Sequence, residues 1–253
     1  MLRIDLNADL GEGFGRYAIP GDEAVLDLVT SANVACGFHA GDPVVMTHTV
    51  ARAAARGVSI GAHPGYPDLL GFGRRELMAS AQEIGAYVTY QIGALQAICR
   101  VAGTRVRYVK PHGALFMRAV KDPSAADAIA EATREAGEGL ILLGLPGTQL
   151  SAAAERAGIG FAAEAFIDRG YLADGTLVPR SEPGAMVHDP TICADRAARM
   201  VLDGVVEAVD GSTFALQPDS LCAHGDGPTA CEVLEAVRAR LESSGVTIAP
   251  FAA

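Results

Sequence analysis

Residues 5–15 read DLNADLGEGFG, and this stretch decides how the fold is interpreted. Apolar and polar residues alternate from residue 2 to residue 7, which is the period of a β-strand. The strand then enters a glycine-rich turn, where tight backbone conformations cost little. Because α/β folds carry their chemistry at the C-terminal ends of strands, polar residues here indicate a site, although a solvated turn is the alternative. The residues concerned are Asp5, Asn7, Asp9 and Glu12.

The same pattern recurs along the chain. Six further strands are predicted, at residues 31–36, 58–62, 106–109, 140–143, 159–163 and 221–223. Strands that alternate with helical patterns predict parallel βαβ units. Seven strands favour a closed barrel over an open doubly wound sheet. We therefore expect an α/β protein with a single domain over residues 1–253, a seven-stranded (β/α) barrel whose site lies at the C-terminal mouth.

Composition narrows the possible partners and compartment. The chain has 253 residues, with 20 basic and 30 acidic side chains and a net charge of −10. An acidic protein without a Lys/Arg cluster is not expected to bind nucleic acid. Neither a membrane span nor a signal peptide is predicted. The five cysteines show no CxxC spacing, so we expect reduced, mostly buried thiols and a cytoplasmic protein.

Histidines are concentrated at the predicted strand ends. Four of the six come directly after strands, namely His39, His63, His112 and His224. A buried structural histidine is the usual explanation for any one of them. It explains four at equivalent positions poorly, so the pattern favours a functional cluster.

Carboxylates accompany these histidines. Asp5, Asp9 and Glu164 lie at or after strands and have no helix-capping role that would explain them. Histidines and carboxylates together allow two kinds of chemistry, which are binding of a divalent ion and general acid–base catalysis without a fixed metal. A metal site would draw its ligands from Asp9, His39, His63 and His112.

Two cations also follow strands. Lys110 and Arg169 could hold a carboxylate or a phosphate, and a surface ion pair is the alternative for each. The sequence has neither a P-loop nor a strand–helix G-x-G-x-x-G motif, so no familiar nucleotide site is indicated. It also lacks the G-x-S-x-G nucleophile elbow.

Taken together, these strand-end motifs resemble the LamB/YcsF family. The matching segments, which extend from residue 5 to residue 228 in the same order, are DLNADLGEGFG, SANVACGFHAGDP, IGAHPGYPDLLGFGRR, VKPHGALF, EAFIDRGYLADGTLVPR and LCAHGDGP. The resemblance implies a barrel related to the glycoside hydrolase/deacetylase superfamily. It also implies ATP-dependent opening of the lactam of 5-oxo-L-proline to L-glutamate, by a 5-oxoprolinase in which this chain works with subunits B and C.

That reaction suggests roles for the candidate residues. ATP with Mg²⁺ would be the cosubstrate, and a tightly bound metal stays an open question. Catalytic roles suit Asp9, His39, His63, His112 and Glu164, and contacts to the substrate suit Asp5, Asn7, Lys110, Arg169 and His224. Two alternatives stay open at this point. One is a stand-alone metal-dependent amide hydrolase or deacetylase, and the other is a non-catalytic subunit that binds a small acid.

Overall fold

A computed structural model, which describes residues 2–19, 21–223 and 229–252, contains a closed barrel of seven parallel strands. The first strand pairs with both the second and the last barrel strand, and this pairing closes the sheet. An eighth, two-residue strand pairs in parallel with the start of the first. The predicted seven-stranded (β/α) barrel is therefore confirmed.

The elements alternate as the sequence pattern predicts. The barrel strands are β1 (Arg3–Leu10), β2 (Ser31–Ala35), β3 (Ser59–His63), β4 (Val106–Val109), β5 (Ile141–Gly144), β6 (Gly160–Phe166) and β9 (Ser220–Cys222). Outside the barrel, β7 (Val205–Glu207) and β8 (Thr213–Ala215) form an antiparallel pair, and β10 (Thr247–Ile248) lies beside β1. The helices are α1 (Asp22–Leu26), α2 (Pro43–Ala55), α3 (Ala81–Val101), α4 (Gly113–Lys121), α5 (Pro123–Ala136), α6 (Gln149–Ala157), α7 (Pro190–Leu202) and α8 (Ala230–Ser243).

The alternation in β1 separates two buried environments rather than core from solvent. Ile4 and Leu6 belong to the main apolar core between the sheet and the helices. Asp5 and Asn7 are also fully buried, and both bond to Ser220 on β9 across the barrel. Since successive side chains of a strand point to opposite faces, the polar set of β1 fills the barrel interior.

The N-terminal end of the barrel is closed by the end of the chain. Phe251 packs on Tyr108 with ring centroids 4.9 Å apart, and the Ser59 hydroxyl donates to the carbonyl of Ala252 at 2.6 Å. Ala252 also belongs to a small apolar cluster with Tyr108 and Leu143. This plug leaves the C-terminal mouth as the accessible end of the barrel.

Helix starts on the mouth side are specified locally. An Asp–Pro pair begins each of three helices, and the aspartate side chain accepts hydrogen bonds from backbone N–H groups of the first turn in α2, α5 and α7. Helix α4 is absent from the sequence-based expectation. It follows β4 after a short turn, and His112 is its N-cap residue.

None of the helices in the described part of the chain combines the length and the apolar character that crossing a bilayer requires.

Candidate functional site

Three of the histidines predicted at strand ends meet at the mouth of the barrel. His63 is the last residue of β3, while His39 and His112 lie on the turns after β2 and β4. The rings of His39 and His112 are stacked, with centroids 3.7 Å apart and an interplanar angle of 3°. The His63 ring stands perpendicular to both, at 5.4 Å from His39 and 4.9 Å from His112. All three side chains are buried.

Backbone carbonyls determine which ring nitrogens of two histidines carry protons. His63 Nδ1 lies 2.7 Å from the carbonyl oxygen of Lys110, and His112 Nε2 lies 2.8 Å from that of Phe72. A carbonyl oxygen only accepts hydrogen bonds, so each of these nitrogens donates. In the neutral rings, the lone pairs are therefore on His63 Nε2 and His112 Nδ1, and these atoms face each other at 3.0 Å.

Two carboxylates surround this pair of nitrogens. Glu12 Oε1 lies 3.4 Å from His112 Nδ1 and 3.2 Å from His39 Nε2. Asp9 Oδ2 lies 3.3 Å from His63 Nε2. One potential ligand atom from each of Glu12, His39, His63 and His112 falls within 4.8 Å of the others. We call Asp9, Glu12, His39, His63 and His112 the mouth cluster.

Burial keeps two of these rings neutral. It lowers the pKa of His39 and that of His112 well below the usual value, and the charges of neighbouring histidines lower both further. Asp9 acts in the opposite direction on each, but its effect is smaller than that of burial. Neutral imidazoles can accept a proton from water or bind a cation through their lone pairs.

The long loop after β3 shapes the mouth cluster from outside. Phe72, whose carbonyl accepts from His112, has a φ of 54°, which is uncommon for a residue other than glycine. Next to it, Gly73 has a φ of +64°, and a Cβ there would lie 2.7 Å from both His39 and His112. Asp68 holds this loop by accepting from Gly71 N at 2.9 Å and by pairing with Arg75. Backbone strain is thus concentrated where the loop contacts the histidines.

Below the mouth cluster, Lys110 joins two carboxylates inside the barrel. Its Nζ lies 2.7 Å from Glu164 Oε1 and 3.1 Å from Asp9 Oδ1, and it also contacts Asn7 Oδ1 at 3.4 Å. Burial by itself would lower the pKa of Lys110, but the charges of Asp9, Cys222 and Glu164 raise it well above the usual value. The ammonium group therefore stays charged, and it balances acids that are themselves almost fully buried.

Asp5 occupies the deepest polar position. It accepts hydrogen bonds from Thr30 and Ser31 at 2.6 Å each, and from Ser220. Burial nevertheless raises the pKa of Asp5 to about 6, although these hydroxyls lower it in part. Asn33 connects this layer to the mouth, since its amide donates to Asn7 Oδ1 at 2.7 Å and to Asp9 Oδ1 at 2.8 Å.

A cavity of about 650 Å³ opens beside the mouth cluster. Asp9, His63 and His112 form part of its wall. Six cations also line it, together with the acids Glu76 and Asp122; these cations are Arg74, Lys110, Arg118, Lys121, Arg169 and Arg180. In a chain with a net charge of −10, such a basic cavity favours an anionic ligand.

Arg169 shows how positive this cavity is. Its guanidinium is buried and donates to the carbonyls of Ala185 at 3.0 Å and Val178 at 2.7 Å. Burial and the charge of Arg180 lower the pKa of Arg169 to about 10. A buried cation beside further cations becomes more stable when an anion binds near it.

The structure separates the predicted site residues into three layers. Asp9, His63, Lys110, His112 and Arg169 line the cavity. His39 lies against His112 within the mouth cluster, whereas Asp5, Asn7 and Glu164 are fully buried in the barrel interior. His224 lies outside the described residues.

Some residues of the site were not predicted from the sequence. Glu12 was noted at the first strand end but received no role, and Gly11, with a φ of +68°, makes the turn that precedes it. Asn33 has a recognisable signal, because an amide in a strand that is otherwise apolar requires a buried partner. Arg74 and Arg180 have none, since their cavity is formed by loops far apart in the sequence.

Comparisons with known proteins agree with this architecture. The model of the LamB/YcsF family matches residues 4–253. The chain is 53% identical over 249 residues to the A subunit of a 5-oxoprolinase from Streptomyces avermitilis, a match that covers 98% of this chain and 100% of the relative.

Solved structures show the same fold. A crystal structure of a lactam utilization protein from Thermus thermophilus is 49% identical, with a TM-score of 0.93 and coverage of 98% of this chain and 99% of the other. A deacetylase named T48, solved with substrate, is 13% identical with a TM-score of 0.51, over 98% of this chain and 87% of the other. At that identity, the second likeness concerns the fold alone.

Proposed function

This chain belongs to the LamB/YcsF family, and we propose that it is the A subunit of an ATP-dependent 5-oxoprolinase that opens the lactam of 5-oxo-L-proline to L-glutamate. In this proposal it works with partner subunits B and C, and Mg-ATP is cleaved to ADP and phosphate. The observation that carries the proposal is one juxtaposition, in which a buried cluster of histidines and carboxylates opens into a cavity lined by six cations. The proposed compartment is the cytoplasm, in agreement with five free thiols.

The chemistry of the lactam explains the need for ATP. A five-membered lactam is an unstrained amide and therefore a poor electrophile. Transfer of the γ-phosphoryl group of ATP to the lactam oxygen yields ADP and makes the ring carbon electrophilic. Water then adds to that carbon, and the C–N bond breaks as the nitrogen takes up a proton. The acyl phosphate that results reacts with a second water to give phosphate and L-glutamate.

The described residues match the demands of these steps. The lone pairs of His63 Nε2 and His112 Nδ1, backed by Asp9 and Glu12, are placed to take a proton from an attacking water. The cavity cations suit the carboxylate of the substrate and the phosphoryl group that it acquires. Lys110 contributes positive charge at the base of the cavity, where it already neutralises Asp9 and Glu164.

The test is an assay of glutamate release from 5-oxo-L-proline. We expect little turnover by this chain with or without ATP, and turnover with stoichiometric ADP and phosphate when subunits B and C are added. The variant His112→Ala should abolish that turnover. The matched control is His48→Ala, because His48 lies on the surface of α2 and bonds to Arg52 at 2.9 Å.

The mouth cluster also supports a second candidate, a stand-alone metal-dependent amide hydrolase. Rapid lactam opening by the isolated chain without ATP would establish that candidate and refute the dependence on partners. If B and C together release glutamate at the full rate without this chain, neither catalytic hypothesis survives. A partner that only binds a small acid would instead be needed in the complex but would tolerate His112→Ala.

A further inference from the structure

The facing nitrogens of His63 and His112 pose a problem in electrostatics. Each ring uses its other nitrogen to donate to a backbone carbonyl, so neither neutral ring can donate to the other. Two lone pairs 3.0 Å apart repel each other, and both rings are buried. The carboxylates Glu12 and Asp9 add negative charge around the same point. A positive ion between the nitrogens would turn these repulsions into attractions.

The distances around that point fit an ion of a particular size. Ligands of a tetrahedral Zn²⁺ ion with bonds of 2.0–2.1 Å are about 3.3 Å apart. The two nitrogens are 3.0 Å apart, Asp9 Oδ2 is 3.3 Å from His63 Nε2, and Glu12 Oε1 is 3.4 Å from His112 Nδ1. The perpendicular arrangement of the two rings, at 89°, lets both lone pairs point to one position.

His39 differs from the other two histidines. Its ring lies parallel to that of His112 at an angle of 3°, and the lone pairs of stacked rings lie in parallel planes that do not converge on one ion. Its Nε2 instead lies 3.2 Å from Glu12 Oε1, where an N–H group would orient that carboxylate. Nδ1 of His39 has no hydrogen-bond partner among the described residues. His39 is thus suited to be a positioning residue for Glu12.

We infer that His63, His112, Glu12 and Asp9 bind one divalent transition-metal ion, with His39 orienting Glu12. Two imidazoles and two carboxylates favour Zn²⁺ or a similar ion over Mg²⁺, which prefers an octahedron of oxygen ligands. The site is therefore distinct from that of the Mg²⁺ which accompanies ATP. It also changes the expected ligand set, since Glu12 takes the place of His39.

When bound, such an ion supplies a Lewis acid that lowers the pKa of a coordinated water. The two imidazoles then act as ligands, and the proton from water passes to another group at the cavity wall. The role of the ion in lactam opening rests on the proposed function. Its binding does not, because the binding geometry involves neither ATP nor the lactam.

The experiment is titration of the full chain, stripped of metal by a chelator, with Zn²⁺ and separately with Mg²⁺ in a calorimeter. We expect one Zn²⁺ per chain and no comparable binding of Mg²⁺. His63→Ala and Glu12→Gln should weaken Zn²⁺ binding by at least about 100-fold, while His39→Asn weakens it by about 10–100-fold and keeps the stoichiometry. His48→Ala, which removes an exposed histidine, should bind like the wild type.

A second readout separates lost ligands from lost folding. Zn²⁺ should raise the unfolding temperature of the wild type and of His48→Ala but not of Glu12→Gln, a nearly isosteric change. Circular dichroism verifies that each variant is folded. The inference is overturned if stripped protein binds no stoichiometric Zn²⁺, or if His63→Ala and Glu12→Gln bind it as the wild type does. Since no substrate is present, either result leaves the proposed lactam chemistry to its own assay.

Discussion

Lys110→Met tests whether the charge balance inside the barrel holds the site together. The substitution keeps most of the apolar stem but removes the ammonium group, and it leaves the carboxylates of Glu164 and Asp9 buried without their cation. At an effective dielectric constant of about 20, two charges 2.7 Å apart attract each other by about 6 kcal/mol. The cost of taking both ions out of water offsets part of this attraction. We therefore expect the free energy of unfolding to fall by about 3–5 kcal/mol.

A double-mutant cycle isolates the pair. Glu164→Gln removes one charge, and the double variant should recover part of the loss, with a coupling energy on the order of 2 kcal/mol. The control is Arg134→Met, which breaks an exposed ion pair with Glu131 on α5 and should cost no more than about 1 kcal/mol. Urea unfolding at pH 7 is followed by far-ultraviolet circular dichroism, because the chain contains no tryptophan.

Two results of this cycle would refute the reasoning. If Lys110→Met destabilises the protein as little as Arg134→Met does, the buried charges are not coupled as the distances imply. If it destabilises the protein but shows no coupling with Glu164→Gln, the loss comes from packing of the lysine stem instead.

Three other predictions concern separate parts of the molecule. Because burial raises the pKa of Asp5 from 3.8 to about 6, the folded state holds that proton more tightly than the unfolded chain, so the wild type should gain up to about 3 kcal/mol over Asp5→Asn as the pH falls from about 7 to about 4; a difference that stays constant in urea unfolding contradicts this. Gly73→Ala should be more destabilising than Gly57→Ala in thermal unfolding, since both residues have left-handed φ values but a Cβ at 73 meets His39 and His112 while one at 57 meets nothing within 4 Å; equal losses would show that backbone strain alone matters. Arg180→Gln should raise the KM for 5-oxo-L-proline in the complete enzyme several-fold more than Arg134→Gln does, as only the first of the two residues lines the cavity; an unchanged KM argues against an anion subsite there.

Local patterns in the sequence were enough to predict the barrel. Alternating strands and helices, Asp–Pro helix starts and glycine-rich strand ends are properties of short segments, so they can be recognised without tertiary structure. They also placed Asp9, His63, Lys110 and His112 at the mouth, because the C-terminal ends of parallel strands all meet there. The same alternation located the polar residues of β1, although it did not reveal that they face a closed interior.

Tertiary structure decided how these residues divide into layers. Whether Asp5 and Glu164 reach the cavity or stay below it depends on the stagger of β1 and β6 in the closed sheet, which pairs both residues with Ser220. The protonation of His63 and His112 depends on the carbonyls of Lys110 and Phe72, and these are brought there by a different strand and by a distant loop.

The grouping of the cations has the same origin. Arg74, Lys110 and Arg180 are separated by long stretches of sequence and meet only because the loops after β3, β4 and β6 fold over one mouth. Sequence periodicity reports which face of its own element a residue occupies, and it contains no information on the distance between loops. Contacts across the barrel follow from closure of the whole sheet, which is why the site residues could be listed from the sequence but their roles required the fold.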